Sequence, residues 1–293
     1  MKKFLIFLSN RSFKTLYFLS DIAYYLIYYI VGYRKKIVRK NLVNSFPEKS
    51  LDEIKVIEKK FYRQFCDQIM EMIKMFTLSA EEMAKHFSVE NQELIMKLRS
   101  ENKSIIYYLA HLGCWEYVSY YATAIKADNL YIVYKKLTDE TFEQIMYELR
   151  SRFGGQPVQD SKLLRTLTEV KKEGKRAEIG FLADQSPLPD ALNYWTTFLN
   201  QNTAIIDTIE RIGRRLDYAL CYLEIEKVSR GVYKCTAKLI TDDIKSTPMN
   251  YATEQYVRLL EETIRKQPEC YLWSHNRWKY KPEDSLRNKN EKG

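Results

Sequence analysis

Ser104-Ile105-Ile106-Tyr107-Tyr108-Leu109-Ala110-His111-Leu112-Gly113-Cys114-Trp115-Glu116 is the stretch whose reading decides the fold. The run from Ser104 to Ala110 is short, apolar and β-prone, as a buried strand is, whereas 115–125 reads as a helix. Gly113 falls at the junction, where a sharp strand-to-helix turn needs its conformational freedom. The turn also bears on chemistry. Along a continuous helix, five steps of ~100° leave His111 and Glu116 about 140° apart, and along a strand they face opposite sides roughly 17 Å apart. Only a bend lets the two act together, and the bend at Gly113 can fold Glu116 back toward His111.

Outward from this stretch the order of elements repeats. Residues 130–135 read as a strand, 140–153 as a helix closed by Gly154-Gly155, 161–173 as a helix closed by Gly174, and 177–183 as another strand. Alternation of this kind predicts an α/β fold with a mixed, largely parallel sheet flanked by helices. Residues 217–226 and 232–240, around Ser229-Arg230-Gly231, read as a β-hairpin, and a helix over 250–265 precedes Trp273-Ser274-His275-Asn276-Arg277-Trp278-Lys279. Upstream, Phe46-Pro47-Glu48-Lys49-Ser50 interrupts the chain before a long helix over 51–76. There Ile54, Ile57, Phe61, Phe65, Ile69, Ile73 and Phe76 keep the helical period.

The chain has 293 residues, 45% of them hydrophobic, which suffices for one substantial catalytic core, placed at 34–282. A formal charge of +9 favours polyanionic partners: nucleic acid, an anionic membrane surface or a phosphorylated substrate. Tyr17, Tyr24, Tyr25, Tyr28, Tyr29 and Tyr33 crowd one segment, and tyrosine prefers the membrane–water interface. With no zinc-finger spacing and no RNP-like aromatic motif, the membrane is favoured over nucleic acid. Residues 1–33 therefore read as a retained membrane-anchor segment. Within 16–33, Asp21 would cost ~2.5–3.5 kcal/mol near a bilayer centre, so a helix that spans and one that lies in the interface both remain open. Arg34, Lys35, Lys36, Arg39 and Lys40 suit anionic headgroups on the cytoplasmic side. A buried amphipathic helix with a solvated basic end fits the same residues. The charged tail, 283–293, reads as disordered.

Cys66, Cys114, Cys221, Cys235 and Cys270 are dispersed and odd in number, without Cys-x-x-Cys. This argues against a disulfide framework or structural zinc, and no metal or other cofactor is called for. Buried thiols explain them, although Cys221 and Cys235 could face each other across the hairpin. The His111–Glu116 pair suits general-base activation of a hydroxyl. His111 would take the proton while Glu116 fixes the tautomer and stabilises the imidazolium. The residues alone also allow a structural histidine beside an unrelated helix-start carboxylate. Lys135 and Asp184 end their own strands, and functional groups in open α/β sheets gather beyond the carboxyl ends of strands. His86 lies outside every cluster and is expected on the surface.

These pieces together resemble the lipid A biosynthesis acyltransferases, a branch of the glycerolipid acyltransferase superfamily. The likeness runs over 33–282 and rests on Asn41-Leu42 with Phe46-Pro47-Glu48, His111-Leu112-Gly113-Cys114-Trp115-Glu116, Val133-Tyr134-Lys135, Arg150 with Arg152 and Gly154, Asp184-Gln185, and the closing Trp273 to Lys279 motif. The resemblance implies a membrane-associated enzyme at the cytoplasmic face of the inner membrane. It would move a fatty acyl group from acyl-carrier protein, or acyl-CoA, to a hydroxyl of a lipid A precursor. It makes His111 and Glu116 the catalytic dyad, and leaves Lys135, Asp184, Arg150 and Arg152 to bind substrate or support the site. His275, in the closing motif, is open to packing or catalysis. Two positions depart from the family pattern: Cys114 stands where asparagine is common, and Lys135 where arginine is. Lysine keeps the charge but loses the bidentate fork, which leaves the acceptor open. A lysophospholipid or amino-acid-containing lipid is the alternative acceptor, and a non-enzymatic lipid-binding protein the alternative class.

Overall fold

The computed structural model describes residues 1–285. The chain opens with three helices, α1 (Lys2–Ser9), α2 (Phe13–Tyr25) and α3 (Lys35–Ser45), α2 running on into a π-helical turn, Leu26–Val31. A capping box between Ser50 and Glu53 then starts the long helix α4 (Leu51–Lys74). Next come α5 (Ala80–His86), β1 (Phe87–Glu90), α6 (Gln92–Ser100) and β2 (Ile105–Leu109). The middle of the chain supplies α7 (Tyr121–Ala124), β3 (Leu130–Tyr134), α8 (Glu140–Ser151), β4 (Gln156–Gln159), α9 (Asp160–Lys172) and β5 (Glu178–Leu182). A hairpin of β6 (Tyr194–Phe198) and β7 (Gln201–Ile205) precedes α10 (Thr208–Leu216), β8 (Ala219–Ser229), β9 (Val232–Thr241) and α11 (Tyr251–Lys266).

Seven strands form one sheet in the order β1-β9-β8-β2-β5-β3-β4, parallel throughout except for the β8–β9 hairpin. The α/β architecture is as the sequence predicts. β2 is central and every residue in it is buried, as a strand covered on both faces must be. β5 arrives late in the chain yet inserts between β2 and β3. The carboxyl ends of β2, β5 and β3 consequently share one edge, the rim on which a site is expected.

Several expectations need correction. Between Trp115 and Tyr120 the chain is a 3₁₀-helix, and only the four residues of α7 are α-helical. Glu116 to Tyr120 are all buried, so packing on several sides replaces the single apolar stripe of an α-helix. Edge strands β1 and β4 are four residues each and left no periodic signal. Cys221 and Cys235 pair with Leu239 and Ile225 rather than with each other, and all five cysteines are buried free thiols. His86 is half-buried: its Nδ1 lies 2.8 Å from the Gly231 carbonyl and its ring 4.3 Å from that of Phe13. Of the tail expected to be disordered, 286–293 lies outside the described residues, and Glu283 to Ser285 belong to a short helical turn.

α2 packs against α4 with its polar side inward. Ser20 Oγ donates to Asp67 at 2.6 Å, Tyr17 to Glu71 at 3.2 Å and, in the π-helical turn that follows, Tyr28 to Glu58 at 3.0 Å. Asp21, which would burden a membrane-spanning helix, pairs with Arg230 at 2.7 Å, and Arg230 also reaches Asp67 at 2.6 Å. Burial raises the Glu71 carboxyl to about 7, with nearby Asp67 adding to the rise while bonds from Tyr233 and Tyr17 oppose it. The apolar side faces out: Phe18 is 65% and Ile30 76% exposed, with Ile22, Tyr25, Leu26 and Tyr29 beside them. Among the described residues no single helix is long and apolar enough to cross a membrane. Phe13–Val31 and Lys35–Ser45 qualify only as a pair bent by 94°.

Candidate active site

β2 and β5 run in parallel with Leu109 opposite Leu182, and Ala183 N–H donates to the Leu109 carbonyl at 3.0 Å. His111 and Asp184 come two residues further along each strand, so the register that builds the sheet also sets them side by side. His111 Nδ1 lies 2.8 Å from Asp184 Oδ1. Burial pushes the Asp184 carboxyl up, but the neighbouring His111 and the hydrogen bonds it receives outweigh this and hold it below the ordinary value. An ionised Asp184 can only accept, which fixes the proton on Nδ1 and leaves the Nε2 lone pair for chemistry. Gln185 Nε2 sits 3.2 Å from that nitrogen, and the Trp115 ring meets the imidazole edge-on at 4.7 Å.

The turn after β2 is held from the closing motif. Leu272 N–H donates to the His111 carbonyl at 3.2 Å and Gly113 N–H to the Cys270 carbonyl at 2.9 Å, while Leu112 bridges Tyr271. Gly113 has φ 52°, and a Cβ there would stand 2.4 Å from the Tyr233 ring, so both backbone and space demand glycine. Asn41 donates to the carbonyls of Trp273 and His275, and Arg34 to that of Ser274, which ties α3 to the same segment. His275 Nε2 accepts from the Ser186 N–H at 3.2 Å. Burial, aided by nearby Arg277, lowers its pKa to about 4, so it is a neutral acceptor rather than a second base.

Glu116 does not meet His111. Its two carboxylate oxygens take both arms of the Arg150 fork, Nη2 at 2.6 Å and Nε at 2.9 Å. An ionised bidentate pair binds more strongly than a single bond to a neutral imidazole, and Nδ1 is already engaged by Asp184. In this structure the carboxylate bonded to His111 is Asp184, and Glu116 is bonded to Arg150. Burial lowers the Arg150 pKa, but Glu116 raises it further, so the guanidinium stays charged.

His111, Glu116, Arg150 and Lys135 nevertheless line one cavity of about 580 Å³. Its walls include Ile132, Val133, Leu137, Leu163, Phe181 and Leu188. The side chain of Lys135, just past β3, makes no ion pair or hydrogen bond among the described residues. Arg152 is directed elsewhere: it donates to the Leu78 carbonyl at 2.7 Å and holds the segment between α4 and α5. Cys114 is fully buried, and burial raises its thiol well above the ordinary value, which disqualifies it as a thiolate nucleophile. Among the described residues no group of three or more His, Cys, Asp or Glu could hold a metal ion. Gln185 and Trp115 are contacts of His111 to which the sequence reading gave no role, although both lie in the motifs that carry the resemblance.

The arrangement is a base fixed in one tautomer beside a largely apolar cavity with a cationic rim. It can activate a hydroxyl next to a long apolar substrate. No curated protein matches the chain at significant similarity. The family model for bacterial lipid A biosynthesis acyltransferase matches residues 5–280.

Proposed function

Because the chain belongs to the bacterial lipid A biosynthesis acyltransferase family, we propose that it moves a fatty acyl group from acyl-carrier protein, or another acyl thioester, to a hydroxyl of a lipid A precursor at the cytoplasmic face of the inner membrane. The observation that carries this reading is the placement of His111, with Nδ1 on a buried carboxylate and the ring on an apolar cavity. His111 Nε2 takes the acceptor proton and the alkoxide attacks the thioester carbonyl. When the tetrahedral intermediate collapses, the leaving thiolate receives the same proton. Asp184 stabilises the imidazolium. Arg150 holds Glu116 as a fixed carboxylate in the cavity wall, and Lys135 offers its charge to an anionic group on the acceptor.

Attachment to the membrane is supported by the outward apolar side of α2 and the basic run from Arg34 to Lys40, which together would supply two anchoring signals. Arg34 bonds the Ser274 carbonyl beside His275, which brings this surface close to the site. The test compares lipids by mass spectrometry in cells with and without the protein, and in cells carrying His111→Ala. One acyl group should disappear from a lipid A precursor in both deficient strains. Loss from a lysophospholipid-derived species instead would reassign the acceptor, and an unchanged lipid profile would refute the reading.

A further inference from the structure

Three consecutive residues beyond β5 end on fixed targets. Asp184 engages His111 Nδ1 at 2.8 Å, and Ser186 gives its N–H to His275 Nε2 at 3.2 Å and its hydroxyl to the Arg277 carbonyl at 2.8 Å. Between them Gln185 directs its side-chain amide to His111 Nε2 at 3.2 Å and lines the cavity. Since Nδ1 carries the proton, the amide must donate. It therefore occupies the position that the acceptor hydroxyl has to take. A hydroxyl bonded to Nε2 displaces the amide, but the backbone is pinned on both sides, so only side-chain rotation is available. Rotation of the side chain about its own bonds can keep the displaced N–H in hydrogen-bonding reach of the reacting centre. In a reactive complex the thioester carbonyl carbon approaches that oxygen to ~3–3.5 Å, which brings the carbonyl oxygen within reach of the amide.

We propose that Gln185 is a catalytic residue of this reaction, its amide N–H passing from His111 Nε2 to the thioester carbonyl oxygen and stabilising the oxyanion. The proposal rests on the acyl-transfer reading of the same site. As the acceptor oxygen bonds to the carbonyl carbon, its proton moves to Nε2 and the carbonyl π pair moves to oxygen, where the amide donates. Collapse reforms the carbonyl, breaks the carbon–sulfur bond and returns the proton to the thiolate. Lys135 follows β3, whereas Gln185 follows the strand next to that of His111, so Lys135 is better placed for the acceptor's anionic group.

Full-length wild type, Gln185→Ala, Gln185→Glu, Gln185→Met and His111→Ala are assayed for thiol release and lipid product. The probes are lauroyl and palmitoyl thioesters of acyl-carrier protein and coenzyme A, with lipid extract from cells lacking the protein as acceptor. Loss of one oxyanion donor predicts that all three Gln185 variants lose about 10²–10³-fold in kcat, with KM for both substrates within about threefold. Glutamate, near in shape but without an N–H, should give no rescue. Unchanged or increased kcat in Gln185→Ala would show that the amide merely covers the base. A raised KM with near-normal kcat, restored in the similarly sized methionine variant, would show a packing role. Both results overturn the proposal. Substantial turnover in His111→Ala overturns His111 as the base on which the proposed mechanism rests, and an absence of thiol release and lipid product in wild type overturns the acyl-transfer reading itself, so the failures are distinguishable.

Discussion

Asp184→Asn removes one charge from the site and nearly preserves its shape. The Asp184 carboxylate lies 2.8 Å from His111 Nδ1 and is 3% exposed. At that separation and an effective dielectric constant of about 20, its attraction for an imidazolium is about 6 kcal/mol. The amide dipole and a smaller desolvation cost return part of this, which leaves roughly 4–5 kcal/mol missing from the transition state. At 1.36 kcal/mol per decade the loss is about 10³–10⁴ in kcat. Tautomerism acts in the same direction. An asparagine amide can donate to Nδ1, moving the imidazole proton to Nε2, where it blocks proton abstraction; the equivalent change in the serine-protease triad costs about 10⁴. The measurements are kcat by thiol release, thermal unfolding to confirm the fold, and ¹⁵N chemical shifts of the imidazole to identify the protonated nitrogen. A folded Asp184→Asn enzyme within tenfold of wild-type kcat would refute the assignment of Asp184 as the partner of His111. A tautomer change in Glu116→Gln, with none in Asp184→Asn, would restore the orienting role to Glu116.

Either Arg150→Met or Glu116→Gln should destabilise the protein by about 3–5 kcal/mol in denaturant unfolding, because each strands a buried charge; the double variant should lose less than the two single losses together. His275 has its folded pKa lowered to about 4 from an ordinary 6.5, so the stability it contributes is present above pH ~6.5 and is lost as pH falls through 4. The melting-temperature gap between wild type and His275→Met should therefore narrow from pH 7 to pH 4, and a constant gap would contradict a neutral, buried imidazole. Changing Phe18, Ile22 and Ile30 together to serine should weaken co-sedimentation with anionic vesicles while shifting stability by no more than about 0.5 kcal/mol per site. Arg230→Met should instead cost stability, about 1–3 kcal/mol, because it leaves the buried Asp67 carboxylate without its partly exposed cation.

Much of the layout was legible because it is local. The strand ending at His111, the turn at Gly113 and the strand ends carrying Lys135 and Asp184 follow from apolar runs and turn residues. Partner choice was not legible. His111 and Asp184 are 73 residues apart and meet only because Leu109 pairs with Leu182, a parallel register that neither strand specifies alone. Glu116 was assigned to the nearest base in sequence, whereas a guanidinium 34 residues away offered it two charged bonds. The same limit applies to α2, whose inward polar face makes sense only beside the buried acids Glu58, Asp67 and Glu71 of α4. The β6–β7 hairpin turns through Leu199 at φ 49° and Asn200 at φ 61°; Asn200 is a conventional turn residue, but a leucine there gives no such signal.

The late insertion of β5 has a consequence for biosynthesis. During translation β2 and β3 emerge with a gap between them one strand wide, and neither can complete its pairing until residue 182 has left the ribosome. Pairing so distant in sequence carries a loop-closure cost that slows folding and leaves strand edges open meanwhile. The base and its carboxylate therefore come together only in the second half of synthesis, long after α1 to α3 have emerged. On the proposed anchoring, the nascent chain engages a lipid surface before it is able to react with anything there.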